Sequence, residues 1–236
     1  MKTMKNWILA VIAVLLVPTA FAQTLDEVIS KHIEAVGGKE RLLALKSEKR
    51  VGNLNVQGFD VQLTISVVHG VGARTDISVP GMGEGYQIVN TTKGWNYMPF
   101  QGQTSPEEVT EDKVKSGQNQ LDLQGSLFNY KEKGHQVELL GKEKADNVDC
   151  FKIKLITKGG NESTIFLDAT TYLRTKVVSK VKTEEGDSEL ITTYSNYKTL
   201  PEGYVYAHTQ SNERGTIEFS TFEINKTIDE SIFTIK

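Results

Sequence analysis

The stretch FDVQLTISV, residues 59–67, has a strict period of two and decides the fold class. Polar residues separate five apolar ones, which are Phe59, Val61, Leu63, Ile65 and Val67. Such alternation predicts a β-strand with one buried face and one wet face. Strands of this kind are typical of antiparallel sheets, which pack one face on a core and leave the other in water.

Similar patterns lie on both sides of this stretch. We expect further strands at 50–56, 74–79, 85–90, 94–98, 151–155, 165–168, 172–181, 188–197, 204–210 and 216–224. Turn residues separate the later ones, as in Lys158-Gly159-Gly160-Asn161 and Pro201-Glu202-Gly203. The sequence therefore predicts a mainly β protein of about 11 antiparallel strands. A sheet of that length must curl or close, so we expect a curved sheet or incomplete β-barrel.

An N-terminal helix precedes the strands. Thr24-Leu25-Asp26-Glu27 is a capping box, and Gly37-Gly38 ends the helix. A short second helix is expected over 39–45. His32 lies on the apolar stripe of the first helix, where we expect it to be packed rather than to bind a ligand.

A helical segment also interrupts the strands in mid-chain. We predict that it begins at Ser105 as N-cap, with Pro106 at the first helical position and Glu108 closing a capping box. It is expected to run to about residue 128, with a joint at 118–120. Val109 and Val114 stand among charges, so the first half should sit loosely on the surface. Together with the N-terminal helix, this mid-chain helical lid is expected to cover the apolar face of the sheet.

The first 22 residues have the features of a secretory signal peptide. Lys2 and Lys5 precede the apolar run 8–17, which is too short to cross a bilayer core. Ala20-Phe21-Ala22 fits the small-x-small cleavage pattern. We expect cleavage after Ala22, a single domain over residues 23–236 and export to the periplasm. A membrane anchor is the alternative.

The composition argues against several functional classes. The formal net charge is −3, and an acidic surface argues against binding of DNA or RNA. Cys150 is the only cysteine, so an intrachain disulfide and a thiolate metal site are excluded. The four histidines show neither His-x-x-x-His nor His-x-His spacing. We therefore expect no metal and no cofactor.

We expect no catalytic residues. Asp168 ends a strand before a Thr-rich turn, where an Asx-turn is the simpler explanation. Cys150 adjoins a strand and is expected to be a packing residue. An enzyme would need a convergent set that combines His69 or His208 with Asp168.

The segment GARTDISVPGMGEGYQIVNTTKGWNYMPFQGQ, residues 72–103, resembles the central stretch of the LolA-like proteins. These are periplasmic lipoprotein carriers and relatives described as outer-membrane lipoprotein-sorting proteins. The resemblance rests on Lys93-Gly94, then Trp95, Tyr97 and Pro99, with Gln101 or Gln103 following. The segments HIEAVGGKERL (32–42) and FEINKTIDESIFTIK (222–236) resemble a Bacteroidota-type branch of the family. The carriers have an arginine that helps to govern release, whereas the corresponding stretch VVHGV (67–71) has none.

The resemblance implies an incomplete barrel closed by helices, with an apolar cavity for acyl chains and no catalysis. We therefore expect a periplasmic carrier or binder of lipoproteins or of other lipid-like apolar ligands. The alternative is an envelope protein-interaction module with no bound ligand, which would have an envelope protein as its partner. We expect seven residues near the cavity, with ordinary core packing as the alternative for each: Trp95, Tyr97, Met98, Phe100, Leu121, Leu127 and Phe128.

Overall fold

A computed structural model describes residues 23–56, 59–183 and 186–235. The expected signal peptide lies outside these residues. Three α-helices are present in the described part: α1 (Leu25–Ala35), α2 (Lys39–Ala44) and α3 (Glu111–Gly117). Short 3-10 helices span Pro99–Gln101, Gln118–Leu121 and Glu230–Phe233. None of the described helices is long and apolar enough to cross a membrane.

The strands form one antiparallel sheet. They are β1 (Ser47–Val56), β2 (Phe59–Val68), β3 (Gly72–Val79), β4 (Gly83–Asn90), β5 (Gly94–Tyr97), β6 (Glu107–Glu108), β7 (Gln136–Ala145), β8 (Val148–Ile156), β9 (Glu162–Asp168), β10 (Arg174–Thr183), β11 (Gly186–Thr199), β12 (Val205–Asn212) and β13 (Gly215–Ile224). Their order is β6-β5-β4-β3-β2-β1-β13-β12-β11-β10-β9-β8-β7. The predicted mainly β class and curved antiparallel sheet are confirmed, with 13 strands among the described residues in place of about 11.

The apolar face of β2 continues across the whole sheet. Val67 pairs with Glu48 of β1, which pairs with Ile224 of β13. At the far end, Ile165 of β9 pairs with Ile153 of β8 on the same face. Helix α1 packs on Ile153 and Ile165, and α3 packs on Val67, so both helices cover one side. We call this side the inner face.

Helix α3 joins the two ends of the sheet. Its Val114 packs against Val89 of β4, near one edge. The amide Nδ2 of Asn161, in the β8–β9 turn near the other edge, donates to the Ser116 carbonyl at 3.2 Å. The sheet must therefore curve round until both ends reach α3, which is the expected incomplete barrel.

The N-terminal helix is as predicted. Thr24 accepts a hydrogen bond from the Glu27 amide at 3.3 Å, and the Glu27 carboxylate accepts one from the Thr24 amide at 2.9 Å. Val28, Ile29 and His32 form its buried stripe. Capping satisfies free amides of the first turn, and tertiary packing of the stripe then stabilises the helix.

The mid-chain helix does not begin at Ser105, so that prediction is wrong. Glu108 pairs with Trp95 as strand β6, and the Val109 amide donates to the Gly94 carbonyl at 2.9 Å. The open edge of β5 offers backbone partners that compete with the first turn of a helix. Helix α3 begins only at Glu111 and passes into 3-10 structure at Gln118, where a joint was expected.

The loose fit expected for the start of this segment is also wrong. Val114 is 8% exposed, and it packs with Val67, Ala73 and Val89. Val109 packs on the same cluster. A helix of two turns needs only one or two apolar side chains on its inner side to be held against a sheet.

Candidate functional site

The apolar core on the inner face is divided into separate clusters. The α1 cluster includes Val28, Ile29, Leu127, Phe151, Ile153, Leu155, Ile165 and Leu167. The α3 cluster comprises Val67, Ala73, Val89, Val114 and Leu121. The Phe100 cluster has Val61, Leu63 and Val79 at its centre, with Phe100 packed on them. A domain of this size usually has one contiguous core with smaller satellite clusters, whereas here helices α1 and α3 cover different clusters, and Leu127 of the mid-chain segment packs in the α1 cluster.

A half-buried strip crosses the sheet between these clusters. Leu54 of β1 pairs with Ile217, Ile217 with Gln210, and Gln210 with Tyr194 of β11. All four are partly exposed. The Arg174 guanidinium carbon lies 4.7 Å from the centre of the Tyr194 ring and ends the row. We call this row the inner strip; its Leu54 and Ile217 pack on the Phe100 cluster, whereas Gln210 and Tyr194 lie outside the three clusters.

A small cavity lies where the two covers approach each other. It is lined by His32 and Ile33 of α1, by residues 124–128, and by Ile165 and Arg174 of the sheet. Its volume is about 30 Å³, which holds one or two water molecules, whereas small-molecule pockets measure about 300–1,000 Å³. An acyl chain can therefore enter here only if a cover moves.

The mid-chain cover, which we define as residues 109–135, combines buried apolar side chains with little regular backbone pairing. The Gly70 amide donates to the Leu121 carbonyl at 2.9 Å, and the Leu123 amide donates to His69 Nδ1 at 3.2 Å. Residues 122–135 are largely turns. Within them the Lys133 ammonium lies 2.7 Å from the Asp122 carboxylate. Segments with so little regular backbone pairing open at lower free energy than strands do.

Five of the seven residues predicted near the cavity lie on or against the inner face. Leu121 belongs to the α3 cluster, Leu127 to the α1 cluster, and Phe100 packs on its own cluster. Phe128 is 2% exposed and lines the small cavity. Met98 is buried, and its sulfur lies close to Gly85. The structure brings these residues around one concavity, but into different clusters.

Trp95 and Tyr97 lie on the opposite side of β5. Trp95 pairs with Ile88 and packs with it against Phe233 of the last 3-10 helix. The Tyr97 ring lies 5.5 Å from that of Tyr86. Alternation along β5 separates these two rings from Met98, and the C-terminal segment covers the Trp95 side.

The histidines and Asp168 each have a separate structural role. His32 Nδ1 donates to the Tyr172 carbonyl at 2.8 Å, and burial lowers the pKa of His32 to about 4. Asp168 accepts from the Thr170 and Thr171 amides at 2.7 and 2.8 Å, which confirms the Asx-turn. His208 Nδ1 donates to the Phe219 carbonyl at 3.0 Å. The proposed catalytic set is therefore not joined by hydrogen bonds in the part of the chain that is described.

Sequence reasoning missed a group of aromatic side chains on β12 and β13. The rings of Tyr206 and His208 lie 5.0 and 4.8 Å from that of Phe222, and Phe219 lies 5.8 Å from Phe222. The signal was present in the spacing Tyr204-x-Tyr206-x-His208, which places three rings on one face of a strand.

Comparisons with known proteins support the fold alone. No family model and no curated protein matches the sequence significantly. A LolA superfamily protein from Nitrosomonas europaea has a similar structure, with a TM-score of 0.57 and 12% identity over 88% of this chain and 96% of that one. A domain from Vibrio parahaemolyticus, described as an outer membrane lipoprotein-sorting protein, gives a TM-score of 0.52 and 19% identity over 87% and 97%. A DUF1329 family protein from Desulfovibrio piger gives 0.57 and 13% over 89% and 96%. The chain therefore has the LolA-like fold that its central motif predicts.

Proposed function

We propose that this protein binds a lipid-like apolar ligand on its inner face and shields it from water during transfer through the periplasm. The acyl chains of a lipoprotein are the ligand that the fold favours. The observation that carries the proposal is the divided inner-face core, with the inner strip between the clusters. A sheet that served only as a scaffold would be expected to bury this face under one continuous core.

The energetics suit reversible binding. Burial contributes about 0.8 kcal/mol per methylene, so a chain of 15 methylenes gains roughly 12 kcal/mol. Association and ordering cost on the order of 4–15 kcal/mol. The difference is small enough for a ligand to be both taken up and released, as a carrier requires.

The mid-chain cover is the element that would move. Leu121, Leu127 and Phe128 would exchange contacts with the sheet for contacts with the chain. Met98 and Phe100 would contact it at the other end of the concavity. Trp95 and Tyr97 would support β5 from behind, through the C-terminal segment.

Export is part of the proposal and rests on residues 1–22. One neighbour in fold is described as a lipoprotein-sorting domain, which agrees with an envelope location. The proposal involves no metal, cofactor or catalytic step.

The test is lipid binding by the protein purified gently from the periplasm. Native mass spectrometry is expected to show co-purifying lipid, and the delipidated protein is expected to take up a fluorescent fatty acid. Phe128→Ala should change the amount of fluorescent fatty acid that the delipidated protein takes up. Leu140→Ala should not change it, because Leu140 is 46% exposed on edge strand β7. Recovery without lipid, together with no uptake of the fluorescent chain, would refute the proposal.

A second candidate is a protein-interaction module with no ligand. The small volume of the cavity beside His32 favours it, because a filled concavity needs no occupant. It predicts that affinity capture from an envelope extract returns one stoichiometric partner from a protein that carries no lipid.

A further inference from the structure

Four polar side chains of the inner face flank strand β13. Glu48 and Arg50 belong to β1, and Tyr206 and His208 belong to β12. Strand β13 lies between them, and its Phe222 is the register partner of Arg50 and contacts the His208 and Tyr206 rings. We call these four residues the polar floor.

Two residues of the polar floor are buried, and Arg50 and Tyr206 are half-buried. Glu48 is 4% exposed and His208 is 8% exposed. Arg50 Nε lies 3.4 Å from the Glu48 carboxylate, and the guanidinium carbon lies 5.0 Å from the centre of the Phe219 ring. Burial raises the pKa of Tyr206, and the negative charge of Glu48 raises it further. Glu48 and Arg50 therefore balance each other's charge beside a neutral tyrosine.

Two polar atoms of the floor have no hydrogen-bond partner among the described residues. They are Nε2 of His208 and Nε of Arg50; both atoms are buried, and Arg50 Nε has only its 3.4 Å ion-pair contact with Glu48. A buried polar atom without a partner destabilises a fold, so each such atom calls for an explanation. The other nitrogen of His208 is engaged, since Nδ1 donates to the Phe219 carbonyl.

The tautomer of a neutral His208 ring follows from that contact. A carbonyl oxygen can only accept, so Nδ1 carries the proton, and Nε2 of the neutral ring is an acceptor. Arg50 can only donate. The polar floor thus presents one acceptor and one donor, with no net charge to balance an added anion.

We propose that Arg50 and His208 form a subsite for the polar head of an apolar chain, and that this head is a neutral group with one donor and one acceptor, such as a hydroxyl or an amide. The inference rests on the proposed function, because the chain of the same ligand would occupy the inner strip beside it. The head donates to His208 Nε2 and accepts from Arg50. A carboxylate fits less well, since it offers no proton to Nε2 and brings an uncompensated charge.

The test compares three ligands of equal chain length at pH 7.5. Dodecan-1-ol has a donor and an acceptor, dodecyl methyl ether has only the acceptor, and dodecanoate is an anion. Each is titrated against a fluorescent apolar dye bound to the delipidated protein. We expect the alcohol to bind about tenfold more tightly than the ether, as one hydrogen bond allows, and more tightly than dodecanoate.

Two variants test whether His208 and Arg50 are the residues that bind the head group. His208→Phe should remove the preference for the alcohol and leave the affinity for the ether unchanged. It should also be at least as stable as the wild type, because an unpaired polar atom is replaced by an apolar one of similar shape. The double variant Glu48→Gln/Arg50→Met avoids leaving an unpaired charge, and it should weaken alcohol and ether alike by about tenfold.

Each other outcome overturns the subsite. The subsite would be overturned, but not the proposed carrier function, by any of three results. These are equal binding of alcohol and ether by the wild type, tightest binding of dodecanoate, and an unchanged preference for the alcohol in His208→Phe. A wild type that binds neither the dye nor any of the chains would overturn the proposed function as well.

Discussion

Acidification should destabilise this protein through His32. The side chain is 8% exposed on α1, and its Nδ1 donates to the Tyr172 carbonyl. The pKa of His32 is lowered from 6.5 to about 4, mainly by burial; the hydrogen bond to the Tyr172 carbonyl raises it, and the Arg174 charge contributes to lowering it. Protonation in the folded state would place an uncompensated charge between α1 and the sheet.

The direction and size of this loss of stability follow from the pKa of His32 in the unfolded chain and in the folded protein. Because the pKa is lower in the folded state, the unfolded chain takes up the proton first. The stabilisation is complete above pH 6.5 and is lost as the pH falls from 6.5 towards 4. At about 1.4 kcal/mol per pKa unit, the full loss is on the order of 3 kcal/mol.

Urea unfolding measures this loss. Trp95, the only tryptophan after residue 22, reports the transition by fluorescence. The free energy of unfolding is determined at pH 7 and pH 5 for the wild type and for His32→Asn, which keeps a donor for the Tyr172 carbonyl but does not titrate. Carboxylates contribute equally to both proteins. The difference between the two proteins in how much unfolding free energy they lose from pH 7 to pH 5 is therefore due to His32.

His135→Asn is the control. His135 is only half-buried, and although burial lowers its pKa, removal of the ring should leave most of the pH dependence in place. If His32→Asn loses as much stability between pH 7 and pH 5 as the wild type does, the account of His32 is wrong.

Two further predictions concern the packing of the sheet. Phe233→Ala should cost about 3–5 kcal/mol in unfolding free energy, because this ring is 1% exposed and covers Trp95. Ile235→Ala, at a residue 37% exposed, should change it by less than about 0.5 kcal/mol, and a comparable loss in both would contradict the packing. Val109→Pro should speed hydrogen exchange in α3, because it removes the amide that donates to the Gly94 carbonyl and anchors the start of the mid-chain cover. Unchanged exchange in α3 would show that β6 does not hold the cover.

Local patterns predicted the elements that local physics stabilises. The alternation of 59–67 gave strand β2, and the capping box at Thr24 gave α1, because neither depends on distant residues. Ser105 showed the same capping signal, yet the edge of β5 pairs with Glu107–Glu108. That competition involves a strand ten residues earlier, which a capping pattern does not contain.

The side of the sheet that a residue faces was harder to predict than its strand. Alternation correctly separates Trp95 from Met98, but it does not say which of them faces the helices. The answer depends on Phe233, which is more than 130 residues away and covers the Trp95 side. The polar floor escaped prediction for a similar reason, since Arg50 and His208 come together only through the register of β1, β13 and β12.

Helix α1 and the mid-chain cover differ in how firmly they are attached to the sheet. This difference indicates which of the two would move. Helix α1 is a full helix with a capping box, it packs on the largest inner-face cluster, and His32 ties it to the β9–β10 turn. The mid-chain cover has a helix of only seven residues, and its later part is mostly turns. Capping and regular backbone pairing therefore stabilise α1 more than the mid-chain cover, although both bury apolar side chains. Under the proposed function, the mid-chain cover would therefore open while α1 keeps the rest of the sheet folded.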